Sequence, residues 1–136
     1  MTADHGHLDT TPDLITYLRG GEDLFSLTER KPSGDARVMY TEVSEENQQQ
    51  FFAMVNEQLG SNFITLTKSQ AEQLELFGEG LLSTEASNRL GNVVILSTGK
   101  AILEYRGVLG VSGKEVSISH HSGLTSDEMR IPLVIG

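Results

Sequence analysis

Cysteine is absent from the 136-residue chain, prolines number three, and basic side chains are scarce. The first absence removes disulfides, a thiolate nucleophile and any Cys-ligated zinc site, which leaves histidines and carboxylates as candidate metal ligands. Ten Lys and Arg stand against 19 Asp and Glu, for a formal net charge of -9. That balance argues against a nucleic-acid partner, because backbone binding depends on clustered positive side chains that release counterions. The acidic residues are dispersed, as in Glu42-Val43-Ser44-Glu45-Glu46, and read as solubility. No apolar run approaches the roughly 20 residues needed to span a bilayer, and the first residues show neither a basic region nor a signal-like apolar core. The expectation is a cytoplasmic chain of about one domain, with no membrane partner.

What is present is a mixture of helix and strand signals. Leu14, Ile15 and Leu18 ahead of Gly20-Gly21 predict a short helix closed by glycine. Lys31-Pro32-Ser33-Gly34-Asp35 predicts a turn, and Arg37 to Thr41 a strand. Ser44 is placed to cap a helix with Glu45 and Glu46 in its first turn, a Phe51, Phe52, Val55 and Leu59 stripe facing the core, and Gly60 as its stop. A strand follows over Phe63 to Thr67, and Ser69 with Glu72 has capping-box spacing for a second helix through Leu74, Leu76 and Phe77. Gly78 and Gly80 end it, and Ser83 to Asn88 reads as a polar connector. Val93 to Leu96 and Ala101 to Tyr105 predict two adjacent strands joined by a tight turn. Arg106 to Ser117 reads as a glycine-punctuated loop without the Gly-Lys-Ser/Thr of a nucleotide cradle. Thr125 and Glu128 again have capping-box spacing, with Leu124 and Met129 expected in the core, Pro132 as a stop and a last strand over Leu133 to Ile135. Asp9, Thr10 and Thr11 are expected to bond local backbone ahead of Pro12. The pattern is that of a mixed α/β chain.

All four histidines lie in two clusters near the ends: His5 and His7 with Asp4 and Asp9, and His120 with His121. Imidazole nitrogens and carboxylate oxygens suit the divalent ions that handle phosphate, and loops at strand ends can gather them. Adjacent His120 and His121 point oppositely if extended, so at most one of them is expected to ligate, the other bonding nearby groups or facing water. Glu128 is better explained by capping Thr125 than by acid/base work.

Thr2-Ala3-Asp4-His5-Gly6-His7 resembles the late metal motif of the alkaline phosphatase superfamily. His121-Ser122-Gly123-Leu124-Thr125-Ser126-Asp127-Glu128-Met129-Arg130-Ile131-Pro132-Leu133 resembles its C-terminal His-Gly-Gly-Leu, Glu-Glu-Met, Pro-Leu segment, with Ser122 in place of the second-position glycine. Asn88-Arg89-Leu90-Gly91-Asn92 is similar to the family's Arg-Ile-Gly-Asp stretch, and the nearest branch is the nucleotide pyrophosphatase and phosphodiesterase type. The resemblance implies an α/β sandwich of mixed strands and short helices, of which residues 1–136 form the C-terminal portion as a single unit. It also implies two divalent ions, zinc by family habit, with Asp4 and His5 binding the one that also holds the nucleophile, His121 binding the other, and His7 and His120 as near neighbours. In such enzymes the ions orient a phosphoryl group for in-line displacement by a Thr or Ser nucleophile. The family places that nucleophile, a first metal-binding Asp and an Asp-x-x-x-His group upstream of Asp-His-Gly. The function so implied is hydrolysis of phosphate mono- or diesters, with a nucleotide-like or other small phosphate-ester substrate, by a longer parent. The 136-residue piece is expected to be inactive alone. Two other readings stay open: a non-catalytic protein-interaction module, and a small stand-alone protein in which His5, His7, His120 and His121 converge on one ion.

Overall fold

The computed structural model describes residues 1–18, 23–105 and 117–135. Its centre is a four-stranded sheet in the order β3 (Ser33–Asp35), β4 (Val38–Thr41), β6 (Val93–Ser97), β5 (Phe63–Thr67), antiparallel throughout. Successive side chains of a strand alternate between faces, and β6 shows both sets at work. Val93 and Ile95 join Met39 and Phe63 against one core, while Val94 and Leu96 join Val38, Leu66 and Ala71 against another. The first face is covered by α2 (Glu45–Leu59), whose Phe51, Val55 and Leu59 are buried in the expected stripe. The second face is covered by α3 (Lys68–Gln73), and α4 (Thr84–Leu90) borders the open cleft beside Tyr40 and Phe77.

Two smaller strand pairs flank this sandwich. β2 (Ile15–Leu18) runs parallel to β7 (Ile102–Tyr105), and β1 (Leu8–Asp9) antiparallel to β8 (Ser119–His120). The short α1 (Asp23–Ser26) adds Leu24 and Phe25 to the first core. At the periphery, Thr2 bridges Leu133, and Met1 and Val134 exchange backbone hydrogen bonds of 2.8 Å.

Several expectations are corrected. Leu14, Ile15 and Leu18 do not form a helix: a 3-10 turn over Pro12–Leu14 leads into β2, because pairing with β7 overrides a short apolar period. The predicted hairpin of Val93–Leu96 with Ala101–Tyr105 does not form, since β6 already has β4 on one edge and β5 on the other and offers no free ladder. The turn placed at residues 31–35 lies instead at Ala36–Arg37, between β3 and β4. The second helix starts two residues earlier, on a capping box of Thr67 and Gln70, and stops before Leu74. Residues 83–88 are not a connector: Ser83 caps α4, whose few apolar residues are too sparse to show a period. Leu133 makes a single bridge rather than a strand. Thr10 bonds not to local backbone but to the carbonyl of Lys100, at 2.7 Å. Gly20-Gly21 and residues 106–116 lie outside the described residues. The Asn88 to Asn92 stretch is architectural here: Arg30 binds the carbonyls of Asn88 and Arg89 at 2.7 and 3.1 Å, and the Asn92 amide pairs with the backbone of Val43 at 2.7 and 2.9 Å.

Candidate metal centre

Two chain segments far apart in sequence meet at one end of the molecule. The Asp4-His5-Gly6-His7 segment is tied to α5 (Ser126–Met129) by the Gly6 N–H, which donates to the Glu128 carbonyl at 2.8 Å. A side chain at position 6 would place its Cβ 1.8 Å from the Asp127 carbonyl oxygen, so this contact requires glycine. The His121-Ser122-Gly123 segment is tied to the same helix by the Gly123 N–H, which donates to the Glu128 carboxylate at 2.9 Å. One residue therefore holds both halves.

Glu128 is itself held in a buried ion pair. Arg37 and Glu128 are 1% and 2% exposed, and the guanidinium grips the carboxylate with two parallel bonds, Nε to Oε1 at 2.8 Å and Nη2 to Oε2 at 2.9 Å. Arg37 also donates to the carbonyls of Gly99 and Ala101, and Thr125 donates to Glu128 from its hydroxyl at 2.6 Å and its N–H at 3.2 Å. Burial pushes the Glu128 carboxyl up, yet the bonds from Arg37, Thr125 and Gly123 outweigh it and bring it down to about 2. The expected capping box with Thr125 is present. Leu124 and Met129, expected in the core, are 50% and 61% exposed; α5 is pinned by its carboxylate instead.

At this end the rings of His5, His7 and His121 come together. His5 and His121 stack with centroids 4.0 Å apart and planes 17° from parallel, and His7 lies 5.1 and 5.3 Å from them. The His5 Nδ1 sits 2.9 Å from the Gly6 carbonyl, which only accepts, so Nδ1 carries the proton and the neutral ring leaves Nε2 with a free lone pair. The Asp4 Oδ2 is 3.6 Å from that Nε2. The Asp4 carboxyl is held below the ordinary carboxylate range, chiefly by its own backbone N–H and then by the nearby His5 ring and the His5 N–H. His7 Nδ1 contacts the Ser119 hydroxyl at 3.2 Å. His120 is bound elsewhere, its Nε2 donating to the Ser117 carbonyl at 2.6 Å.

Asp35 is a member of the cluster that the sequence did not disclose. It ends β3 in the hairpin, with Oδ2 4.0 Å from His121 Nε2 and 3.0 Å from the Ser122 hydroxyl. A turn-like Ser-Gly-Asp carries no signal of a partner 87 positions away. Arg37 escaped notice for the same reason, its place in a strand prediction concealing a charged buried anchor.

Among the described residues no three or more His, Asp or Glu side chains are arranged to hold one ion. Asp4, His5 and His121 offer carboxylate oxygen and imidazole nitrogen donors of the kind zinc takes, fewer than the four ligands it ordinarily has. Among the described residues no helix is long and apolar enough to cross a membrane.

The sequence matches no family model and no curated protein. Among solved structures, murine ectonucleotide pyrophosphatase/phosphodiesterase 5 superposes on 96% of this chain with a TM-score of 0.63 and 10% sequence identity, and the chain spans 31% of that structure's length. The likeness is one of fold: the chain is a mixed α/β sandwich with several short helices and sheets, consistent with part of an alkaline-phosphatase-like fold and structurally similar to a nucleotide pyrophosphatase/phosphodiesterase.

Proposed function

We propose that this chain contributes part of a two-ion centre for hydrolysing phosphate esters, in a longer parent of the nucleotide pyrophosphatase/phosphodiesterase type. The observation that carries the reading is the His5 and His121 stack. It brings a nitrogen donor from each of the two motif segments to one end of the molecule, with Asp4 3.6 Å from His5 Nε2, and a two-ion centre needs donors gathered in this way. Asp4 and His5 supply one partial shell and His121 the other. His7 is a neighbour that packs against both rings, and His120 holds the loop at Ser117. Two divalent ions, zinc by the donor chemistry, would supply Lewis-acid stabilisation of the attacking and leaving oxygens. The part of this chain is to fix its donors: the Gly6 carbonyl bares Nε2 of His5, and Glu128 holds the two histidine segments together. A nucleotide or other small phosphate ester is the substrate class.

The test compares the parent polypeptide with the 136-residue chain on bis(p-nitrophenyl) phosphate in the presence of zinc. The parent is expected to hydrolyse it, with the activity removed by chelation and by Asp4→Ala, His5→Ala or His121→Ala. The short chain is expected to be silent and to bind zinc weakly. Chelator-insensitive turnover by the parent, or robust turnover by the short chain that His5→Ala abolishes, would overturn the reading.

A further inference from the structure

Ser122 occupies a backbone conformation that side chains rarely adopt, at φ +81°, where a glycine would sit without strain. Holding a non-glycine residue there is strained, which calls for a compensating contact. The hydroxyl makes two: Oγ lies 3.0 Å from Asp35 Oδ2 and 2.9 Å from His121 Nδ1. We propose that Asp35 and Ser122 act as positioning residues that set the tautomer of His121, placing its proton on Nδ1 and leaving Nε2 bare.

The argument is one of proton counting. A hydroxyl has one hydrogen to give, and an ionised carboxylate can only accept. The Ser122 hydrogen therefore goes to Asp35, and the Ser122 oxygen accepts from whatever faces it. That partner is His121 Nδ1, which must then carry a hydrogen, so the neutral ring has its lone pair on Nε2. Asp35 does not hold a proton on the other nitrogen, because its Oδ2 is 4.0 Å from Nε2, beyond hydrogen-bond reach. The chain is built on fixed parts. Asp35 Oδ1 accepts the Ala36 N–H at 2.7 Å, and the hairpin that carries it is clamped through Arg37 to Glu128, which also binds the Gly123 N–H. Ligating histidines commonly have the far nitrogen held in this way by a carboxylate or carbonyl; here a hydroxyl is inserted between the two. The use of the bare Nε2 rests on the assignment of His121 as a ligand under the proposed function, whereas the tautomer itself does not.

The test is long-range proton-nitrogen correlation spectroscopy on the 15N-labelled 136-residue chain, without metal, at about pH 8, well above the ordinary histidine range. His121→Gln identifies the resonances. Wild type is expected to show the Nδ1-protonated pattern at residue 121. Ser122→Gly, which relieves the backbone, is expected to fold with an unchanged or higher Tm and to shift residue 121 toward the Nε2-protonated form that an isolated imidazole favours. Asp35→Ala is expected to produce the same shift. An Nε2-protonated His121 in wild type, or an Nδ1-protonated one that persists in Ser122→Gly, overturns the proposal. Because no zinc is present, failure of the metal assignment leaves this result standing, and the reverse holds as well.

Discussion

Glu128 binds through its backbone to one histidine segment and through its side chain to the other, while Arg37 neutralises it from the hairpin. Removing one partner of such a pair leaves a buried charge and several donors unanswered. Glu128→Ala is therefore expected to lower stability by about 3–5 kcal/mol in denaturant unfolding. Replacing both partners with apolar residues is expected to recover only part of this, since the Gly123 and Thr125 N–H groups still lose their acceptor. The pH dependence follows from the lowered carboxyl. Its stabilisation is full above its ordinary value of 4.5 and is lost as the pH falls through about 2, because protonation then competes with the Arg37 bonds. Acid titration followed by circular dichroism is expected to show loss of structure in that window, with a smaller acid dependence in Glu128→Gln.

At the scale of elements, α2 and the central sheet supply nine of the 18 buried apolar side chains among the described residues. Phe51 is fully enclosed between the helix and the first sheet face. Phe51→Ala is expected to cost about 3–5 kcal/mol, measured as a lowered denaturation midpoint, whereas Phe52→Ala, at a half-buried neighbouring position, is expected to cost less. These elements were also the ones most legible in the sequence. The strand over Phe63–Thr67 and the stripe of α2 are local patterns whose period reports the face they bury. The Thr125 and Glu128 box was legible because its two residues are three apart. Illegible features depended on partners elsewhere: β2 on β7, the separation of β6 from β7, and the burial of Arg37. The same division runs through the site. The motifs named Asp4, His5 and His121, with His7 alongside, as residues to be gathered, and the fold does bring them together, but Asp35 joins them only through the fold.

Across the whole molecule, the sandwich covers one end with residues drawn from both extremities of the chain. Leu8 pairs with His120, Ile15 with Ile102, and Thr2 with Leu133, whereas the contact of α2 with β5 joins neighbouring segments. Distant pairings close late because their loop entropy must be met before they return any contact energy. The consequence is one of timing. A newly made chain can gather α2 against β5 while its histidines are still apart, and the His5 and His121 stack arises only with the last pairings to close. Pulse-labelling hydrogen exchange during refolding is expected to protect the Val55 amide, inside α2, before those of Gly6 and Thr10, which bond to Glu128 and Ile118. Simultaneous protection would show that the ends and the core form in one step. If the order holds, the meeting of the two histidine segments is a product of completed folding, and a chain halted early keeps His5 and His7 apart from His121.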